Sequence, residues 1–282
     1  MDYRHGNSME NMSSTLTAGL GPEIKAIIFD LDDTLLVEED SARDCLIRTC
    51  HNARDRYGLD PVELHDTLRR SCRNHWFNNS PAREYCVRVG ISSWEGLWAT
   101  YEGDNPHLEA LKAWAPQYRQ NSWHDALLEH HIDDPSLADD LAQTFIQLRR
   151  AKHVLFDDAL PVLEQFQGQY PLALLTNGAP DLQRLKIEKS QLESFFDRIV
   201  ISGEEDLGKP DPAIFRRTAD RLGSEPQHTL MIGNSIKSDI QGAQAAGLIP
   251  VWLNRNGERA DSDPPSTTEI NTLAQIPALL ST

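Results

Sequence analysis

Five short apolar runs stand out along the chain, and each has the length of a β-strand. They are continuous rather than alternating, which is typical of strands covered on both faces in a parallel sheet. The runs are Ile24–Phe29, Leu172–Leu175, Ile199–Ile201, Thr229–Ile232 and Pro250–Leu253. Between the later runs, apolar residues recur at helical spacing over 181–189, 212–222 and 236–246, the last ending at Gly247 in a helix-stop position. This alternation predicts an α/β fold with a doubly wound parallel sheet.

The first run is separated from the second by a long stretch with no convincing strand pattern. It shows helical patterns instead, over Ala42–Tyr57, Pro61–Arg73, Trp123–Glu129 and Pro135–Arg150. An ordinary connection between elements has only a few residues, so we predict a helical cap domain inserted after the first strand. The basic cluster of Arg149, Arg150 and Lys152 is interpreted as a solvated face, with contact to an anionic substrate as the alternative. The predicted organisation is a disordered leader at 1–22, an α/β core formed by 23–36 and 157–282, and the cap at 37–156.

Composition excludes several classes of function. The net charge of −16 argues against non-specific binding to nucleic acid or to an anionic membrane surface, because both need a basic face. No apolar run approaches the roughly 20 residues of a membrane span, and the first residues lack the apolar core of a secretory signal. The four cysteines form no C-x-x-C pair and are typical of free thiols in a reducing compartment. We expect a cytoplasmic protein, and its oligomeric state stays open.

Polar residues follow each of the first four predicted strands. They are Asp30 and Asp32 after the first, Thr176 and Asn177 after the second, Lys209 in the loop after the third, and Asn234 and Asp239 after the fourth. In open α/β sheets, ligands bind beyond the carboxyl ends of the strands. The sequence therefore predicts that these groups converge on one edge of the sheet.

The chemistry of such a set can be stated from the residue types. Two close carboxylates tolerate each other when a divalent cation lies between them, and Mg²⁺ prefers oxygen ligands. One carboxylate can attack phosphorus and form an aspartyl-phosphate, and the second can protonate the leaving alcohol and later deprotonate water. A hydroxyl, backbone N–H groups and a lysine would stabilise the phosphoryl oxygens. The pattern therefore indicates phosphoryl transfer.

Four segments of the chain resemble the motifs of the haloacid dehalogenase (HAD) superfamily, in the order that the family has them. They are "FDLDDTL", "LLTNG", "GKPDPAIF" and "MIGNSIKSDIQGAQAAG". The resemblance is to the subfamily I phosphatases, which carry a helical C1 cap after the first strand. It implies Asp30 as the nucleophile and Asp32 as the general acid/base. It also implies phosphate binding by Thr176, the backbone of Asn177, and Lys209.

The resemblance covers Ile24 to Leu253 and implies a Mg²⁺ cofactor. The metal would be held by the Asp30 carboxylate, the Asp32 backbone carbonyl and the motif after the fourth strand. Many family members have aspartate directly after the glycine of that motif, whereas this chain has Asn234. An amide oxygen can bind magnesium but brings no negative charge. Asp239 would then carry more of the metal binding, directly or through a water molecule. Which of these two residues contacts the metal stays open.

The resemblance implies a magnesium-dependent phosphatase of a small phosphorylated metabolite. Similar family members act on N-acylneuraminate 9-phosphate, nucleoside monophosphates, phosphoserine, phosphoglycolate or triose phosphates, and fold does not choose between them. A phosphosugar mutase shares every motif and stays an alternative. A 2-haloacid dehalogenase works with one aspartate and no metal, so Asp32 argues against it. A non-catalytic binding module is favoured only by Asn234.

Overall fold

The computed structural model of the protein describes residues 23–151, 153–257 and 267–281. The disordered leader predicted for 1–22 lies outside these residues. None of the helices in the described ranges has both the length and the apolar character needed to cross a membrane.

A six-stranded parallel sheet lies at the centre of the protein. Its strands are β1 (Ala26–Phe29), β2 (Leu172–Thr176), β3 (Arg198–Ile201), β4 (Thr229–Gly233), β5 (Ile249–Leu253) and β6 (Thr268–Ile270). The strand order is β3-β2-β1-β4-β5-β6, and all neighbouring strands are parallel. β1 is fully buried between β2 and β4, with Ile28 opposite Ala173 and Met231. The predicted α/β class and doubly wound parallel sheet are confirmed.

The five predicted strands are all present, and their ends differ from the prediction by at most two residues. β6 was missed because it has three residues, of which only Ile270 is buried. Such a short strand at the sheet edge leaves no apolar run in the sequence.

Seven helices lie between β1 and β2 in the described part of the chain, and we call the first six the helical insertion. They are α1 (Glu39–Tyr57), α2 (Pro61–Asn79), α3 (Arg83–Val89), α4 (Ser93–Gly96), α5 (Pro106–Leu128) and α6 (Pro135–Ala151). They bury a hydrophobic cluster that includes Trp123 and Tyr118, and Ala179 and Leu182 from beyond the insertion also belong to it. The four cysteines are buried there as free thiols, as predicted. The boundaries of a separate cap domain at 37 and 156 stay a prediction.

Two features of the insertion matter later. The segment that enters the insertion and the segment that leaves it lie next to each other, because Leu36 forms an antiparallel bridge with Leu155. α5 begins at Pro106, well before the helical pattern predicted from Trp123. The Asn105 side chain caps this helix by accepting the His107 N–H at 2.9 Å.

The remaining helices cover the two faces of the sheet. They are α7 (Ala159–Phe166), α8 (Pro180–Lys189), α9 (Ser202–Glu205), α10 (Pro212–Arg221), α11 (Gln241–Ala246) and α12 (Ile276–Leu280). A π-helical turn at Ile236–Ile240 precedes α11, so the helix predicted over 236–246 is present in two forms. Its predicted stop is confirmed, since Gly247 has a left-handed φ of 86°. Turns of the π type recur near functional sites.

Candidate functional site

The end of β1 places two aspartates at the edge of the sheet. The Asp30 N–H still belongs to the sheet, since it donates to the Ile232 carbonyl of β4 at 2.9 Å. The chain then turns back on itself, because the amides of Leu35 and Leu36 both donate to the Leu31 carbonyl. The turn follows a buried strand directly, so its carboxylates lie where ligands of parallel sheets bind.

Asp30 is held by a buried lysine and a buried hydroxyl. Lys209 Nζ lies 2.5 Å from Asp30 Oδ1 and 2.6 Å from Asp239 Oδ1. Thr34 Oγ1 donates to Asp30 Oδ2 at 3.0 Å. Burial raises the pKa of Asp30 to about 6, although Lys209 opposes the rise. With both carboxylates ionised, two negative charges face one positive charge, and this residual charge favours a further cation nearby.

Lys209 is positioned by the side chain of Asn177. The Lys209 N–H donates to Asn177 Oδ1 at 2.8 Å, and Asn177 Nδ2 donates to the Lys209 carbonyl at 2.8 Å. Gly90 of the insertion lies against this amide, so that a Cβ there would be 2.7 Å from Asn177 Nδ2. The Asn177 side chain therefore holds the Lys209 backbone in place. The sequence analysis assigns only the backbone of Asn177 to phosphate binding.

Thr176 is connected to Asp32 by a residue that the sequence analysis did not find. Gln183 Nε2 lies 2.5 Å from Thr176 Oγ1 and 3.0 Å from Asp32 Oδ2. Gln183 is fully buried on α8, and buried Lys186 follows one turn later. Two polar residues three positions apart on the inner face of a core helix are the signal that could have revealed them.

A buried ion-pair network surrounds Asp32. Lys186 Nζ lies 3.0 Å from both carboxylate oxygens of Asp32 and 3.3 Å from Glu38 Oε1. Arg149 of α6 contacts the same Glu38 oxygen at 2.7 Å, and its guanidinium lies over the Trp98 ring. The interpretation of Arg149 as solvated is wrong, because its side chain is only 1% exposed. The aromatic ring and the Glu38 carboxylate together stabilise a buried guanidinium.

The network also shifts the pKa of its carboxyl groups. Burial raises the pKa of Asp32, and Lys186 opposes this rise. Burial acts in the same direction on Glu38, but Lys186 and Arg149 outweigh it and hold the Glu38 pKa below its usual value. Asp32 is therefore easier to protonate than an ordinary aspartate, which suits a group that gives and takes a proton.

Asn234 and Asp239 have different surroundings. Asp239 Oδ2 accepts the Ser235 N–H at 2.9 Å, and its other oxygen contacts Lys209. Asn234 Oδ1 lies 3.5 Å from Thr34 Oγ1, the hydroxyl that also donates to Asp30. Asn234 Oδ1 and Asp30 Oδ2 therefore lie around the same small region, and both are hard oxygen donors of the kind magnesium prefers.

The donor set fits magnesium only if amide and backbone oxygens take part. Within the described ranges, no group of three or more His, Cys, Asp or Glu side chains is arranged to hold a metal ion. Magnesium commonly keeps several waters and takes only one or two protein carboxylates, so a small set is no obstacle.

A cavity of about 340 Å³ lies between the sheet edge and the helical insertion. Asp32, Asn177 and Lys186 line it from the core, and Trp94 and Trp98 line it from the insertion. The insertion therefore covers part of the sheet edge and reduces the contact of its carboxylates with bulk water, which strengthens electrostatic interactions there.

The insertion is joined to the core around α8. Asp181 at the start of α8 accepts the Thr100 N–H at 2.7 Å and the Tyr101 N–H at 3.1 Å. Glu95 of α4 accepts the Ala179 N–H at 2.8 Å, beside the turn that follows β2. Burial raises the pKa of Glu95 to about 7. Helix α8 therefore contacts both the insertion and Asp32.

Comparison with known proteins places this geometry in a family. The model for haloacid dehalogenase-like hydrolases matches residues 24–247. The phosphoserine phosphatase of Thermus thermophilus is 33% identical over 254 residues, covering 90% of this chain and 98% of that protein. The N-acylneuraminate-9-phosphatase of Mus musculus is 29% identical over 261 residues, covering 91% of this chain and 94% of that protein. The magnesium-bound HAD-hydrolase YfnB of Bacillus subtilis has the same fold, with a TM-score of 0.64 at 22% identity over 93% of this chain and 100% of that chain.

Proposed function

The chain belongs to the haloacid dehalogenase-like hydrolase family and is a phosphoric monoester hydrolase, and we propose that it is a magnesium-dependent phosphatase of a small-molecule ester that works through an aspartyl-phosphate. One observation carries the proposal. Asp30 is a buried carboxylate that Lys209 and Thr34 hold in place, and Asp32 lies two residues later at the wall of the cavity between the sheet edge and the insertion.

Asp30 is the proposed nucleophile. One of its carboxylate oxygens forms a bond to phosphorus, and the bond between phosphorus and the ester oxygen breaks. Lys209 and Thr34 fix the orientation of the carboxylate before the reaction, so little reorganisation is needed. Water then attacks the aspartyl-phosphate, which releases inorganic phosphate and restores the carboxylate.

Asp32 is the proposed general acid and base. In the first step it gives its proton to the leaving alkoxide, and in the second it takes a proton from the attacking water. Gln183 and Lys186 hold its two oxygens, so the group stays at the cavity wall through both steps. Its raised pKa favours the protonated form that the first step needs.

The proposed phosphate-binding groups are Thr176, the Asn177 backbone and Lys209. The proposed magnesium ligands are the Asp30 carboxylate, the Asp32 carbonyl and Asn234, because the Asp239 oxygens already contact Lys209 and a backbone amide. Asp239 would then act by holding Lys209. Magnesium, when bound, supplies positive charge that offsets the charge on the phosphoryl oxygens.

The helical insertion is the proposed cap. It closes the cavity over Asp32, so the substrate must be small enough to be enclosed. Relatives of this chain are named as phosphatases of phosphoserine, N-acylneuraminate 9-phosphate and glyceraldehyde 3-phosphate. These names support a small phosphomonoester as substrate class and do not select one compound.

Phosphate release from a panel of small phosphomonoesters tests the proposal. Wild type, Asp30→Asn and the control Asp220→Asn are compared with magnesium and with EDTA. Asp220 is exposed on α10, away from the cavity, and its change removes the same charge. We expect magnesium-dependent release that Asp30→Asn abolishes and Asp220→Asn retains, with circular dichroism showing that all three proteins are folded.

Retained turnover in Asp30→Asn would refute the assignment of the nucleophile. Conversion of one phosphosugar into its isomer, without phosphate release, would favour the mutase. Absence of both reactions in a folded protein that binds magnesium would favour a binding module.

A further inference from the structure

One arginine of helix α2 lies in the wall of the cavity beside Asp32. Arg69 of α2 lines the cavity and is half-buried, and its guanidinium lies 5.5 Å from the centre of the Trp94 ring. In the described part of the chain, no carboxylate pairs with it. A cation at this distance from an aromatic ring is attracted to it, and this contact leaves the N–H groups of the guanidinium free to meet a ligand.

The other buried cations of the cavity wall are already paired. Lys186 contacts Asp32 and Glu38, and Arg149 contacts Glu38. Arg43 of α1 also lines the cavity but is exposed, and among the described residues it makes no ion pair. Among the arginines and lysines that line the cavity, Arg69 and Arg43 are therefore the two that pair with no carboxylate of the described chain.

The acidic residues of the cavity wall do not supply the missing charge. Asp32 and Glu38 are held by the cations above, whereas Asp33 accepts the backbone N–H groups of residues 38 and 39. Glu95 accepts backbone N–H groups of Ser92 and Ala179. Glu39 is exposed one turn before Arg43 and forms no ion pair with it or with Arg69 in the described chain. The half-buried Arg69 guanidinium therefore has N–H groups that no carboxylate of the described cavity wall engages, and an anionic ligand can accept them.

We propose that Arg69, assisted by Arg43, binds a carboxylate on the leaving group, so that the substrate is a phosphomonoester of a hydroxy acid. A carboxylate matches the planar fork of a guanidinium and can accept two parallel hydrogen bonds. The phosphoryl group itself goes to Asp30 and Lys209 at the core, so the anion at Arg69 is a second one. This inference rests on the proposed function, whose site supplies the other end of the substrate.

The size and apolar wall of the cavity limit the rest of the molecule. About 340 Å³ lies at the lower end of the range for small-molecule sites. Trp94, Trp98 and Phe145 offer apolar surface to a carbon skeleton between the two anionic groups. A sugar acid or a compound of similar length fits this description.

Two matched pairs of esters test the proposal. 6-Phosphogluconate is compared with sorbitol 6-phosphate, which has an alcohol in place of the carboxylate, and phosphoserine is compared with phosphoethanolamine. We expect wild type to prefer the carboxylate member of at least one pair by roughly 10- to 100-fold in kcat/KM, as is typical of a charged hydrogen bond. Arg69→Met should remove this preference, because kcat/KM falls much more for the carboxylate ester than for its matched partner, and Arg69→Lys should restore part of it.

Arg73→Met is the matched control, because Arg73 is exposed on the same helix and does not line the cavity. It should keep the wild-type preference. Equal kcat/KM for both members of both pairs, or a preference that survives in Arg69→Met, would overturn the proposal.

A binding measurement separates failure of this inference from failure of the proposed function. If no ester is hydrolysed, calorimetry with gluconate and with sorbitol still tests the subsite. Gluconate binding that is lost in Arg69→Met would support the subsite without catalysis. Equal affinity for gluconate and sorbitol, or no binding of either, would overturn it.

Discussion

Replacing Lys186 with methionine should destabilise the protein by about 3 kcal/mol, because it leaves two partly buried carboxylates short of a cation. Lys186 is 2% exposed and its ammonium touches both oxygens of Asp32 and one of Glu38. Methionine has a similar length and can fill the space. The decrease in the free energy of unfolding therefore reports the missing charge rather than a new cavity.

The magnitude follows from what remains after the change. Breaking a buried ion pair by removing one partner costs roughly 3–5 kcal/mol. Glu38 keeps Arg149 and Asp32 keeps Gln183, so we expect the lower end of that range. Burial lowers the pKa of Lys186, but the two carboxylates outweigh it and the pKa ends above its usual value. The contribution of the lysine is therefore fully present at neutral pH, below its unfolded-state pKa of about 10.4, and is lost only as pH rises through the higher folded-state pKa.

Urea unfolding followed by circular dichroism at pH 7.5 measures the change. Lys189→Met is the control, since Lys189 is exposed on the same helix, and it should stay within about 0.5 kcal/mol of wild type. The double variant Lys186→Met/Asp32→Asn should recover roughly 1–2 kcal/mol, because it removes the carboxylate that Lys186→Met leaves without a cation, while Glu38 keeps Arg149.

A loss below about 1 kcal/mol in Lys186→Met would refute this reasoning. It would mean that solvent screens the partly exposed Asp32 and Glu38 carboxylates, and that the network behaves like a pair of surface ion pairs.

Three further changes test other parts of the site. Asn234→Asp should lower the magnesium concentration for half-maximal activity by roughly tenfold if this side chain is a ligand, because it adds charge; an unchanged value would point to Asp239. The raised pKa of Glu95 means that wild type loses stability as this group ionises between about pH 4.5 and 7, by roughly 1–3 kcal/mol. Glu95→Gln should remove this loss, so that its free energy of unfolding changes less over the same range. Parallel stability curves for the two proteins would contradict this. Gly90→Ala should lower kcat/KM about tenfold, since φ is 74° and the new Cβ would press on Asn177; unchanged kinetics would show that Asn177 can move without displacing Lys209.

The sheet and its polar edge could be predicted because both depend on local sequence. Buried parallel strands are continuous apolar runs, and residues such as Asp30 and Thr176 follow their strands directly. Parallel strands end at the same edge of the sheet, so residues that directly follow these strands lie close together there. The neighbourhood of Asp30, Lys209 and Asp239 therefore followed from the order of the elements.

The surroundings of Asp32 could not be predicted in the same way. Lys186, Gln183 and Arg149 are polar residues in helices, and most such residues face solvent. Their burial depends on partners that lie far away in sequence, such as Arg149 on Glu38. Only the packing of the insertion against α8 reveals that these side chains hold the predicted acid.

The length and start of α5 were missed for a different reason. Pro116 lies inside the helix, and polar residues interrupt its apolar spacing. Proline usually ends a helical pattern, so the segment before Trp123 gave no clear prediction.

The antiparallel bridge between Leu36 and Leu155 has a consequence for how the protein folds. β1 and β2 are hydrogen-bonded neighbours, yet about 140 residues separate them, and closing so long a loop is entropically costly. Helices that have packed first hold the two ends of the insertion side by side, which shortens the effective loop to about 25 residues. The closure cost then falls by roughly 1.5 kcal/mol, or about tenfold in the probability that the two strands meet. Six helices outside the sheet would in this way set the rate at which its central strands pair.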